Sequence, residues 1–204
     1  MYRRGGAGTM PSKFAITGGI GSGKSALCRI LKERGYPVFS CDAINRALWQ
    51  DKAYLHGLLE RFPSCAAADG IDKKALSALV FSDRNALEAL NAYAHPRIYK
   101  RLQEQMDAAK KPCFAEIPLL FESGMPALFD GVIVVLRERQ ARIRSVVDRD
   151  GLTPEQAEAR IREQFDYDSP LPPGCFVLQN DGDERALEQK ADALLEGLKE
   201  SGRL

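Results

Sequence analysis

The sequence predicts an α/β fold built on a doubly wound parallel sheet, and three observations carry the prediction. Five short apolar runs (13–17, 36–40, 112–116, 131–136 and 176–178) are separated by helical patterns, so strand and helix alternate. The runs at 112–116 and 131–136 lack polar alternation, as strands buried on both faces of a parallel sheet do. The 204 residues exceed the commonest domain size by about half, which suits one core with an insertion better than several modules. Parallel strands joined through helices imply right-handed crossovers.

Taken in order, the run at 13–17 leads into a glycine-rich turn and then a helix over 25–34, where Leu27, Ile30 and Leu31 repeat at helical spacing. Gly35 and Pro37 stop that helix and restart the chain as a second strand, 36–40. Nothing from 43 to 109 reads as a strand; helices are expected at 44–50, 54–61, 73–81, 84–94 and 96–109, punctuated by Pro63 and Asp69-Gly70. Segments 138–149 and 153–164 form a helical hairpin turning at Asp150-Gly151, with Thr153 as N-cap, Pro154 at the first helical position and Glu155 in the first turn. A short strand at 176–178 and an amphipathic helix at 184–199 close the chain. The expected organisation is a core of 13–42, 110–136 and 174–204, a helical insertion at 43–109, a lid at 137–173 and a flexible leader at 1–12.

The turn carries the chemistry. Gly18-Gly19-Ile20-Gly21-Ser22-Gly23-Lys24-Ser25 fits G-x-x-x-x-G-K-[ST] between a strand and a helix, the arrangement that aims backbone N–H groups and a helix N-terminus at a phosphate. Glycines let the backbone approach the anion; Lys24 would neutralise the β- and γ-phosphates and the Ser25 hydroxyl would ligate Mg²⁺. Such a P-loop serves kinases, GTPases and ATPases alike. Asp42, just past the second strand at the carboxyl edge of the sheet, could orient an acceptor hydroxyl, or could simply cap the helix beginning near Ala43. Arg46 could grip an anionic acceptor or pair with Asp42 one turn earlier. Glu116 ends an apolar strand as a Walker-B acid does, with a surface acid as the alternative. Residues 137–162 hold seven arginines and five acids, which suits a basic lid and equally suits solvated helix faces.

Charge and cysteine usage narrow the classes. With 29 Lys and Arg against 28 Asp and Glu, no overall field recruits nucleic acid or an anionic membrane, so the anion site is local. The apolar runs are too short to span a bilayer and no secretory signal core is present, so a cytoplasmic protein is expected. Five scattered cysteines and two histidines form neither a disulfide framework nor a zinc site. No N-K-x-D signature for guanine occurs, which argues against a GTP switch.

Ile16 to Ser25, Pro37-Val38 leading to Asp42 with Ile44 and Arg46, His95-Pro96 with Ile98, Ile117-Pro118-Leu119-Leu120-Phe121-Glu122, and Arg149-Asp150-Gly151-Leu152 with Glu155, Ala157 and Ile161 form an ordered set. Together, over nearly the whole chain, 14–198, these stretches resemble the dephospho-CoA kinase family. The resemblance implies phosphorylation by ATP of the ribose 3′-hydroxyl of dephospho-CoA, with Mg²⁺, in a monomer or weak homo-oligomer. It implies that Gly19, Gly21, Ser22, Gly23, Lys24, Ser25 and Ala26 hold ATP together with Arg149 and Asn180. Arg46, His95 and Leu119 would face the acceptor, Ser25 and Glu116 the metal, and Asp42 and Lys24 would be catalytic. Departures from the family pattern are Ser40 and Glu116 where aspartates usually stand, Ser145 in place of a lid arginine, Asp166 to Pro173 at a usually basic lid exit, and Gln179 before Asn180. Another P-loop small-molecule or nucleotide kinase is the alternative reading, and a nucleotide-binding protein without catalysis a further one.

Overall fold

The computed structural model describes residues 11–68, 70–123 and 126–204; residues 1–10 of the expected leader, and Asp69 of the expected turn, lie outside them. The elements run β1 (Lys13–Thr17), α1 (Lys24–Glu33), β2 (Val38–Ser40), α2 (Cys41–Leu48), α3 (Lys52–Arg61), β3 (Ala66–Ala67), β4 (Gly70–Ile71), α4 (Lys73–Ser82) and α5 (Arg84–Asp107). They continue with β5 (Cys113–Glu116), β6 (Gly131–Leu136), α6 (Arg139–Asp150), α7 (Pro154–Arg162), β7 (Phe176–Gln179) and α8 (Glu184–Glu200). Ser40–Gln105 form one compact unit and the described residues on either side form the other.

The larger unit is an α/β layer structure. Its sheet has the order β2-β5-β1-β6-β7, with β1 parallel to both β5 and β6, and β6 parallel to β7. Phe14, Ile16, Phe114, Ile133 and Val135 point into a core that α1 fills with Leu27, Ile30 and Leu31, and α8 with Leu187, Ala191, Leu195 and Leu198. Phe14 stacks on Phe114 at 5.5 Å, which adds aromatic packing to the area buried. Register fixes the site: Ile16 lies opposite both Glu116 and Ile133, so β5 ends beside the end of β1 while β6 runs on to Leu136, past the turn after β1. The α6–α7 hairpin forms as expected, with Gly151 left-handed at the C-cap and a Thr153–Gln156 capping box. It packs Ile143, Val146, Ala157 and Ile161 into a small core that Ile20 joins.

The smaller unit is mostly helical, with two departures from expectation. An antiparallel pair, β3 with β4, interrupts it; two residues per strand are too few to leave a periodic signal. The two helices expected at 84–94 and 96–109 are one continuous α5 with Pro96 inside it. Proline removes one backbone hydrogen bond, but Tyr93, Ala94, Ile98, Leu102 and Met106 are buried on both sides of it and hold the two halves together. Tyr93 is clasped: Arg97 and Arg61 sit over its ring at 3.7 and 4.3 Å, Tyr54 packs at 5.3 Å, and its hydroxyl donates to the Tyr54 carbonyl. Trp49, which ends α2, has Tyr54 at 6.1 Å and the Lys73 ammonium over its ring at 4.8 Å.

Candidate active site

The loop between β1 and α1 is shaped by glycines at positions where a side chain would be strained or crowded. Gly21 and Gly23 are left-handed, with φ of +76° and +95°, and a Cβ on Gly18 would lie 2.3 Å from the Val135 carbonyl oxygen. Gly23 is the N-cap of α1 and its carbonyl accepts from Ala26 and Leu27, so the helix begins at Lys24 with its amides directed at the loop.

Donors fix the carbonyl side of this loop residue by residue. The Lys24 ammonium donates to Gly18 O at 2.7 Å and Gly19 O at 3.0 Å. Arg142 Nε donates to Ile20 O at 3.2 Å, Arg137 reaches Gly21 O at 3.4 Å, and Asn180 Nδ2 donates to Ser22 O at 2.8 Å. On the amide side, Ile20 N–H is taken by Gln164 Oε1 and Ser22 N–H by Gly19 O. The N–H groups of Gly21, Gly23 and Ser25 have no acceptor among the described residues. Amides without an acceptor at alternate positions of a loop that runs into a helix start are suited to binding an anion.

The metal fit is tested by Ser25 and Glu116, whose side chains meet at 2.9 Å with the hydroxyl donating. A hydroxyl and a carboxylate are hard oxygen donors of the kind Mg²⁺ accepts. Among the described residues no group of three His, Cys, Asp or Glu side chains could hold a metal alone, so such an ion would depend on phosphate oxygens as well. Behind the loop, Thr17 and Tyr167 share a hydrogen bond at 3.1 Å, and burial pushes the Tyr167 phenol above its ordinary pKa. A cavity of about 140 Å³ is lined by the loop, the end of β6 and α6, and two of its lining residues carry a buried polar atom without a hydrogen-bond partner among the described residues, Ser22 Oγ and Arg137 Nε.

The structure therefore gathers Gly19, Gly21, Ser22, Gly23, Lys24, Ser25, Glu116 and Asn180 around one loop, with Ala26 in the first turn of α1. Leu119 belongs to the same unit and is exposed. Arg149 is exposed near the C-terminal end of α6, paired with Asp150 at 2.8 Å rather than with the loop. Asp42, Arg46 and His95 belong to the smaller unit. α2 starts at Cys41 with Ser40 as N-cap, so Asp42 is an exposed first-turn acid rather than the cap. No ion pair joins Asp42 to Arg46 among the described residues. His95 packs against Tyr99 at 5.7 Å and its burial lowers its pKa. Sequence reasoning missed Arg137, Arg142, Gln164 and Tyr167. Arg142 had a signal: it lies four residues before Val146 and next to Ile143, on the buried face of its helix.

Comparison with known proteins decides the family. A family model described as dephospho-CoA kinase matches residues 13–185. The chain belongs to the dephospho-CoA kinase family. A dephospho-CoA kinase of Thermus thermophilus is 37% identical over 186 residues, covering 91% of each chain. One of Deinococcus radiodurans is 36% identical and covers 93% of this chain and 94% of its own. A solved Thermus thermophilus structure superposes with a TM-score of 0.81 at 36% identity, covering 93% of this chain and 99% of that one. A solved dephospho-CoA kinase of Campylobacter jejuni gives 0.72 at 27% identity, covering 95% of this chain and all of that one. The doubly wound sheet and the P-loop are thus those of a dephospho-CoA kinase.

Proposed function

We propose that this chain transfers the γ-phosphoryl group of ATP to the ribose 3′-hydroxyl of dephospho-CoA, giving CoA and ADP as the last step of coenzyme A biosynthesis. The observation that carries the reading is the loop whose carbonyls are all engaged while the amides of Gly21, Gly23 and Ser25 are not, in a chain of this family. Gly19, Gly21, Ser22, Gly23, Lys24, Ser25 and Ala26 hold the phosphates, with Lys24 balancing the charge that migrates during transfer. Ser25 and Glu116 hold Mg²⁺, which when bound neutralises charge on the β- and γ-oxygens. Asp42 accepts a hydrogen bond from the acceptor hydroxyl and takes its proton. Arg46, His95 and Leu119 face dephospho-CoA within a helical acceptor region, 43–109. Residues 137–173 close as a lid, where Arg149 reaches the nucleotide; Asn180 supports it from the loop before α8. The protein acts in the cytoplasm as a monomer or weak homo-oligomer.

A coupled ADP-release assay with ATP and Mg²⁺ tests the reading. Dephospho-CoA should support turnover and a panel of nucleoside monophosphates and sugars should not. Transfer to a nucleoside monophosphate without transfer to dephospho-CoA would overturn it.

A further inference from the structure

Arg142 is placed unusually for a cation. It is 2% exposed, its closest carboxylate oxygen, on Asp168, is 4.0 Å away, and burial works against its charge. A buried arginine held this loosely by acids is costly unless other groups satisfy it. What surrounds it is the P-loop. A Cβ on Gly19 would fall 2.2 Å from its terminal nitrogen and 2.5 Å from Cζ, so the guanidinium fills the space that this glycine leaves. A Cβ on Gly21 would fall 2.6 Å from the Arg142 carbonyl oxygen, so the helix backbone is seated on the loop as well.

We propose that Arg142 is a positioning residue that acts on the nucleotide phosphates through the Ile20–Gly21 peptide, from the carbonyl side of the loop. In a trans peptide the C=O and the N–H point in opposite directions. The bond from Arg142 Nε to Ile20 O therefore fixes Gly21 N–H toward the other side, where no group among the described residues accepts it. A charged donor on the carbonyl also polarises the peptide and strengthens its N–H, a cooperative gain of order 10–30% per bond. Arg137 extends the same device by one peptide: its guanidinium reaches Gly21 O and is anchored by Ser145 Oγ at 2.8 Å. The inference rests on the reading that this loop binds ATP phosphates.

The test compares wild type with Arg142→Met, Arg142→Lys and Ser145→Ala. Binding of inorganic triphosphate and of Mg-ATP is measured by calorimetry, alongside thermal melts and steady-state kinetics. Arg142→Met should weaken both ligands by about tenfold and raise the KM for ATP by a similar factor, while kcat and the KM for dephospho-CoA stay within about threefold. Lysine keeps the charge but not the planar fork, so Arg142→Lys should fall between. Ser145→Ala, which touches no loop atom, should weaken triphosphate binding by about two- to threefold. Wild-type affinity in Arg142→Met, whatever its melting temperature, overturns the inference and leaves Arg142 a packing residue. Should that variant not fold, wild-type affinity in both Arg142→Lys and Ser145→Ala overturns it. Failure of the wild-type protein itself to bind inorganic triphosphate would instead sink the P-loop reading.

Discussion

Replacing Gly21 by alanine introduces two separate costs. The first is conformational: φ is +76°, where an L-residue is about 1–2 kcal/mol less favourable. The second is steric: the new methyl would sit 2.6 Å from the Arg142 carbonyl oxygen and 3.1 Å from its Cα, so backbone of α6 has to give way. Overpacking of that kind costs about 1–3 kcal/mol. Gly151→Ala separates the two, because Gly151 is also left-handed, at φ +65°, yet nothing lies within 4 Å of its added Cβ. For a chain of this length each kcal/mol moves Tm by about 2–4 °C. Gly151→Ala should therefore lower Tm by roughly 2–8 °C and Gly21→Ala by roughly 4–20 °C, from the sum of both costs. Circular dichroism melts of the two variants side by side, with triphosphate binding on each, make the comparison. Equal losses in Tm, or unimpaired binding by Gly21→Ala, would mean that α6 does not rest on the loop and would refute the reasoning.

Four further outcomes are expected. Asp42→Asn should lose roughly 10²–10⁴ in kcat with little change in ATP affinity, since shape is kept and the proton acceptor is not; full turnover would leave Asp42 a first-turn acid only. Arg149→Ala should lower kcat/KM while leaving the melt unchanged, because an exposed arginine paired with its neighbour adds little stability, and unaltered kinetics would confine it to the surface. His95 has a folded-state pKa below its unfolded value of about 6.5, so the unfolded chain binds the proton more readily as pH falls. Stability should therefore fall as pH drops below about 6.5, and less steeply in His95→Gln; identical pH profiles would contradict this. Burial pushes Cys28 up to about 12 and Cys113 up to about 11, and Cys41 and Cys65 are buried as well. A thiol reagent at pH 8 should then modify Cys175 first, and a fast phase that survives Cys175→Ser would contradict the burial.

The P-loop was legible because strand, turn and helix follow one another within twenty-one residues, 13–33, and the glycines announce the backbone they permit. Most of what stabilises that loop was not legible, because Arg137, Arg142 and Gln164 arrive more than a hundred residues later, and Asn180 entered only through the family resemblance. Seven arginines in one stretch look alike in sequence, and only packing distinguishes Arg142, 2% exposed, from Arg149 on the surface. Strand alternation gave the parallel sheet but not its order, since pairings such as Ile16 with Ile133 are set by tertiary packing. Pro96 misled for a related reason. Its local preference is to end a helix, and the buried side chains on either side outweigh that preference.

Trp49 is the chain's single tryptophan, and it belongs to the helical unit, with Lys73 and Tyr54 around its indole. Intrinsic emission excited at the red edge of the spectrum consequently reports on Ser40–Gln105 alone, while far-ultraviolet ellipticity averages both units. Melts followed by the two signals coincide if the protein unfolds in one step and separate if the helical unit opens by itself. The chain thus carries its own optical probe of whether the insertion behaves as a cooperative part of the sheet unit or as a second folding unit.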